Sequence, residues 1–112
     1  MKKLLLPLFV LAFLAGGCEK IADCPDCIYE KVIDFSKDHI CNDGSSGVAE
    51  YLFQGQFVYV FSDGTCGADM GATVYSSECE KIGFLGGFTG NLIINDVVFY
   101  ENAVFKRNIW HD

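Results

Sequence analysis

The tightest constraint on how this chain folds is a pair of β-rich runs, Val48–Phe53 and Gln56–Phe61, separated only by Gln54-Gly55. Two intervening residues leave room for a hairpin turn and nothing more, and the glycine supplies the positive φ that such a turn requires. The turn also sets the register, with Phe53 opposite Gln56, Leu52 opposite Phe57, Tyr51 opposite Val58 and Glu50 opposite Tyr59. Side chains alternate across a strand, so one face carries Ala49, Tyr51, Phe53, Val58 and Val60. The other carries Val48, Glu50, Leu52, Phe57, Tyr59 and Phe61. Two arrangements fit. Both faces can be buried, one under a helix and one under the C-terminal strands. Alternatively, Glu50 marks the second face as the wetter one, because unpaired carboxylates avoid cores. Leu52, Phe57 and Tyr59 then form an exposed apolar patch of the kind that marks a partner surface.

Upstream, Ile28, Tyr29, Val32, Ile33 and Phe35 recur at helical spacing, with Glu30, Lys31, Asp34 and Lys37 on the other side. This predicts an amphipathic helix at about 25–37, with Asp23 as its cap and Pro25 and Asp26 in its first turn. Asn42–Gly47 and Ser62–Gly71 read as loops. Ala72–Ser76, Leu92–Ile94, Val97–Tyr100 and Ala103–Trp110 read as further short strands, with Asn95-Asp96 turning between the second and third. Gly83, Gly86, Gly87 and Gly90 read as turns and bulges. The expectation is a single α+β domain over 25–112. One N-terminal helix packs on a small antiparallel sheet of five to six strands, stapled by disulfides.

The 51% apolar content is inflated by the N-terminus. Lys2 and Lys3 precede an eleven-residue apolar run, Leu4–Leu14, and the small residues Ala15-Gly16-Gly17. The run is too short to span a hydrocarbon core of ~30 Å and reads as a secretory signal over 1–17. Cys18 directly after the small residues resembles the lipobox of bacterial lipoproteins, although Ala15 stands where that pattern more often has Leu. The resemblance implies that Cys18 becomes an acylated N-terminus on a tether over 18–24. It makes the protein membrane-attached through its lipid, in the outer rather than the inner membrane. Each buried CH₂ contributes ~0.8 kcal/mol, so two or three acyl chains hold stably. Cleavage leaves 95 residues and moves the net charge from −7 to −9, since Lys2 and Lys3 are removed. So acidic a chain lacks the basic face that nucleic acid requires.

Several stretches resemble small Bacteroidota lipoproteins that share a domain family of unknown function. They are Tyr51–Phe61, Cys66-Gly67-Ala68-Asp69, Gly83–Asn91 with its Gly-Gly-Phe-Thr-Gly-Asn, and Ile109-Trp110. The resemblance covers nearly all of the mature chain and implies compartment and architecture. It implies no activity.

Five cysteines remain after Cys18, and two bridges among five thiols can be drawn in fifteen ways. An envelope location is oxidising, so bridges are expected. Cys66 and Cys79 are close in sequence, and bridging them would stabilise by ~3 kcal/mol on the chain-entropy model. The family resemblance implies Cys27–Cys41 as the second pair, with Cys24 spare. That pairing requires the helix to end near Phe35 or Ser36. A helix over 27–38 would be roughly 16 Å long, and three further residues reach back only about 10 Å.

Cys24-Pro25-Asp26-Cys27 has the C-x-x-C spacing of thiol oxidoreductases and opens a helix, where the dipole lowers a thiol pKa. It lacks the buried strand that precedes the motif in thioredoxin-like folds. His39, Cys41, Asp43 and Asp38 could be imagined around a metal, but a loop rich in Asp and Asn is ordinarily turn chemistry. Asp63, Cys66 and Asp69 do not match an EF-hand loop. The glycines do not form G-x-G-x-x-G, and a strand-like run follows them where a phosphate cradle needs a helix. No nucleophile motif is present, and the pair Glu78/Glu80 carries no geometry at this level. The expectation is therefore a non-enzymatic, lipid-anchored interaction or ligand-binding module without cofactor or metal, with an envelope protein as partner. The alternative is a thiol redox protein using Cys24 and Cys27.

Overall fold

A computed structural model describes residues 21–112. The signal segment and Cys18, with the expectations placed on them, lie outside the described residues. Helix α1 (Asp26–Asp38) is followed by strands β1 (Gly47–Phe53), β2 (Gln56–Ser62), β3 (Gly71–Ser76) and β4 (Lys81–Gly86). After them come β5 (Ile93–Ile94), β6 (Val97–Val98), the single turn α2 (Phe99–Asn102) and β7 (Ala103–His111). The main sheet has the order β4-β3-β2-β1-β7 and is antiparallel throughout, while β5 and β6 form a separate two-stranded ribbon. The α+β expectation holds.

The β1–β2 hairpin adopts the anticipated register, Leu52 to Phe57 and Glu50 to Tyr59. Gln54 and Gly55 both take positive φ, 51° and 81°, as a type I′ turn demands. Both faces of this hairpin are buried except at its turn end. Ile28 and Val32 of α1, one turn apart, lie against Val48, Tyr59, Phe61 and Ile109 on one face. On the other face Phe53, Val58, Val60, Val74 and Leu85 pack against Ile94 and Phe99 from the β5–α2 segment. The β5–α2 segment fits closely because of Gly83: a Cβ there would stand 2.7 Å from Ile94 Cγ1. Residues before α1 follow the outer edge of β7, where the Ala22 N–H donates to the Ile109 carbonyl (2.8 Å).

Local departures from the sequence reading have physical causes. Lys81–Gly86 is an edge strand rather than a string of turns, because pairing with β3 overrides the weak strand tendency of glycine. Gly86, Gly87 and Gly90 do take the positive φ expected of turns. Val97–Tyr100 is not one strand: it stops at Val98, and α2 begins at Phe99, whose buried ring fills the core on the face of the sheet away from α1. Pro25, not Asp23, is the N-cap of α1, and no side chain caps it. The Asp23 carbonyl instead accepts from Arg107 Nη2.

Both expected disulfides are corrected. Cys27 pairs with Cys79 and Cys41 with Cys66. The pairing Cys27–Cys41 fails because α1 runs to Asp38. Its ends are then separated by nearly 20 Å of helix, against a bridge span of about 4.4–6.8 Å between Cα atoms. Cys66–Cys79 fails because the two residues flank β3 at opposite ends, and six strand residues span about 20 Å. The observed bridges tie each end of α1 to the sheet loop nearest it. Cys24 is the spare thiol among the described residues, as expected.

Candidate functional site

The expected partner surface divides in two. Tyr59 is only 2% exposed beneath α1, whereas Phe57 is 46% exposed. Leu52 is half-buried between Phe57 on β2 and Val104 on β7. The hairpin's second face is therefore core over most of its length, and only its outer end is open. Glu50 did not signal a wet face because it is not an unpaired carboxylate. It is buried and accepts from the Tyr59 hydroxyl (2.8 Å) and from Arg107 Nε (2.9 Å). Burial pushes its carboxyl up, but the Arg107 and Tyr59 hydrogen bonds and the guanidinium charge outweigh this and hold it below the ordinary value. Burial and the bond to Glu50 together push the Tyr59 phenol well up.

Cys24 and Cys27 of the C-x-x-C motif are not bonded to each other. Cys27 is engaged with Cys79. The Cys24 thiol is pushed up by burial, only partly offset by Arg107, the opposite of what a nucleophilic thiolate needs. The imagined metal ligands are dispersed in other roles. Cys41 is bridged, and Asp43 accepts from Ser45, which lowers its carboxyl. The His39 ring sits between the Ser36 carbonyl (2.8 Å) and the Asp112 carboxylate (3.2 Å). Asp38 faces elsewhere, into a groove described next. Glu78 and Glu80 are exposed on the β3–β4 loop, where their backbone N–H groups donate to Ser76 Oγ.

An open groove of about 360 Å³ lies between α1 and the outer half of the sheet. One wall is a single helical face, Lys31, Asp34, Phe35 and Asp38, at i, i+3, i+4 and i+7. The sheet side supplies Phe61, Thr73 and Tyr75, and Asp63 closes the end of β2. The floor is aromatic: Phe61 stands edge-on to Phe35 (5.5 Å between ring centres) and to Tyr75 (5.3 Å). Lys31 Nζ lies 4.4 Å from the Tyr75 ring centre. The Trp110 ring meets Phe35 at 5.9 Å, just behind the floor. The groove offers stacking faces and charge but no nucleophile held by a base. Its helical wall had no sequence signal, since the apolar spacing sets Phe35 on one side of α1 and Lys31 and Asp34 on the other. Its other wall had none either, since Tyr75 joins it only through the placement of α1 over β2 and β3.

Residues 42–112 match a family model described as Domain of unknown function (DUF6970). No curated protein and no solved structure matches the chain.

Proposed function

We propose, for a chain that belongs to this family of domains of unknown function, that it is an exported, lipid-anchored binding module of the cell envelope without catalytic activity. Acyl chains on Cys18 hold it to the outer membrane, and the α1–β3 groove receives a ligand or an envelope protein partner. The observation that carries this reading is the groove itself: an open, aromatic-floored cleft flanked by both bridged loops of a small rigid domain. Its volume falls within the range of small-molecule sites. The two bridges suit an oxidising compartment, in keeping with the signal-like N-terminus and the lipobox-like run ending at Gly17. The engaged Cys27 and the raised Cys24 thiol weigh against a redox role.

Metabolic labelling with a fatty acid tests the anchor. Wild type takes the label and Cys18→Ala does not; label surviving in Cys18→Ala contradicts the assignment. The binding half is tested by passing envelope extract over immobilised wild type and over Tyr75→Arg, in which the new side chain fills the groove. A component retained by wild type alone supports the groove as the site. Equal retention contradicts it.

A further inference from the structure

The chemistry of the groove specifies what it binds. Its floor presents the half-buried rings of Phe35 and Tyr75, with Phe61 largely buried between them, and aromatic surfaces attract both methylene groups and cations. The groove already holds one ammonium in this way, Lys31 over Tyr75. Around that floor stand three carboxylates, Asp34, Asp38 and Asp63, against the single cation Lys31. The ion pairs among the described residues, His39–Asp112 and Arg107–Glu50, include none of the three. Asp38 is the last residue of α1, where the negative end of the helix dipole disfavours a carboxylate. Nothing in the packing of the domain requires an acid there. A neutral apolar ligand would leave the three charges unanswered, and a hydrated metal ion would make no use of the rings. A flexible chain of methylenes carrying several ammonium groups answers both. Asp34 and Asp38 are separated by one helical turn, about 6 Å along the axis, a span that a short methylene chain between two ammonium groups covers.

We propose that the α1–β3 groove binds a linear aliphatic polyamine, its ammonium groups paired with Asp34, Asp38 and Asp63 and its methylenes lying on Phe35 and Tyr75. This rests on the reading of the protein as a binding module. Lys31 competes with the ligand for the face of Tyr75, so its removal strengthens binding.

The test is titration of the mature protein with spermidine at low salt, followed by calorimetry and by the fluorescence of Trp110, the only tryptophan. Asp34→Asn with Asp38→Asn weakens binding about tenfold, from two exposed charge contacts of about threefold each. Lys31→Gln tightens it. Glu78→Gln with Glu80→Gln, an equal charge change outside the groove, leaves it unaltered. A diol of matching length does not bind, and magnesium chloride at equal concentration does not displace spermidine. Equal weakening by the two double variants, or displacement by magnesium, identifies diffuse attraction to an acidic surface and overturns the proposal. Saturable binding of an arginine-rich peptide without binding of spermidine overturns the polyamine but keeps the groove. If neither perturbs Trp110 nor gives heat, the polyamine proposal is overturned, while the binding-module reading is decided separately by retention of an envelope component on wild type and not on Tyr75→Arg.

Discussion

Phe57 and Tyr59 lie two residues apart on the same face of β2, so alternation alone makes them equivalent. The structure makes them opposites. Tyr59 is 2% exposed, packed under Ile28 and Val32, with its hydroxyl on Glu50. Phe57 is 46% exposed at the open end of the sheet. Truncating a buried aromatic to alanine costs about 3–5 kcal/mol through lost burial and the cavity left behind. Tyr59→Ala also removes one of Glu50's donors, which places it in the upper part of that range. Phe57→Ala loses partial contact only, about 0.5–1 kcal/mol. Urea unfolding of a domain this size has a slope of about 1.5 kcal/mol/M, so the midpoint falls by about 3 M for Tyr59→Ala and about 0.5 M for Phe57→Ala. Tyr59→Phe keeps the ring and loses only the hydrogen bond, so it costs about 1 kcal/mol. The assay requires intact bridges and a common slope for all three variants. Equal midpoints for Tyr59→Ala and Phe57→Ala would refute the placement of α1 over this face.

Glu50 makes stability pH-dependent in a defined direction. Its carboxyl is held below the ordinary value of 4.5 in the folded state, so its contribution is fully present above that pH and is lost as pH falls below it. Melting temperatures measured down through pH 4.5 show a shallower acid decline in Glu50→Gln than in wild type; parallel declines contradict the Arg107–Glu50–Tyr59 arrangement. Non-reducing peptide mapping yields Cys27 joined to Cys79 and Cys41 joined to Cys66, and a Cys66–Cys79 peptide contradicts the fold. The Cys41–Cys66 bridge closes a loop of 25 residues. Its replacement by two serines therefore costs about 3–4 kcal/mol on the chain-entropy model, read as a loss in the urea midpoint.

What the sequence discloses here follows the range of the interactions involved. The β1–β2 register is legible to the residue, because a two-residue turn permits one alignment only. The position of α1 is legible within a residue at each end, since its apolar spacing is local. The cysteine pairing is not. It depends on α1 continuing past Ser36 to Asp38 and on β3 separating Cys66 from Cys79, lengths that short-range signals leave open. Lys81–Gly86 looks like turns because its glycines are selected by what packs on them, as Gly83 is by Ile94. Glu50 misleads for a related reason: its partner Arg107 lies 57 residues away and reaches it only when β7 returns beside β1. The groove is not legible: the sequence places Phe35 on the apolar side of α1 and Lys31 and Asp34 on the other, and only the packing of α1 over β2 and β3 brings them to one wall.

A ligand seated between α1 and β3 leaves a local mark on the backbone amides. Amide chemical-shift mapping of the isotope-labelled domain during spermidine addition is expected to give saturable shifts clustered at residues 31–38, 61–63 and 73–75, with the Trp110 indole N–H moving alongside them. Shifts spread over acidic residues around the whole surface, or clustered instead at Leu52, Phe57 and Val104, would contradict that placement.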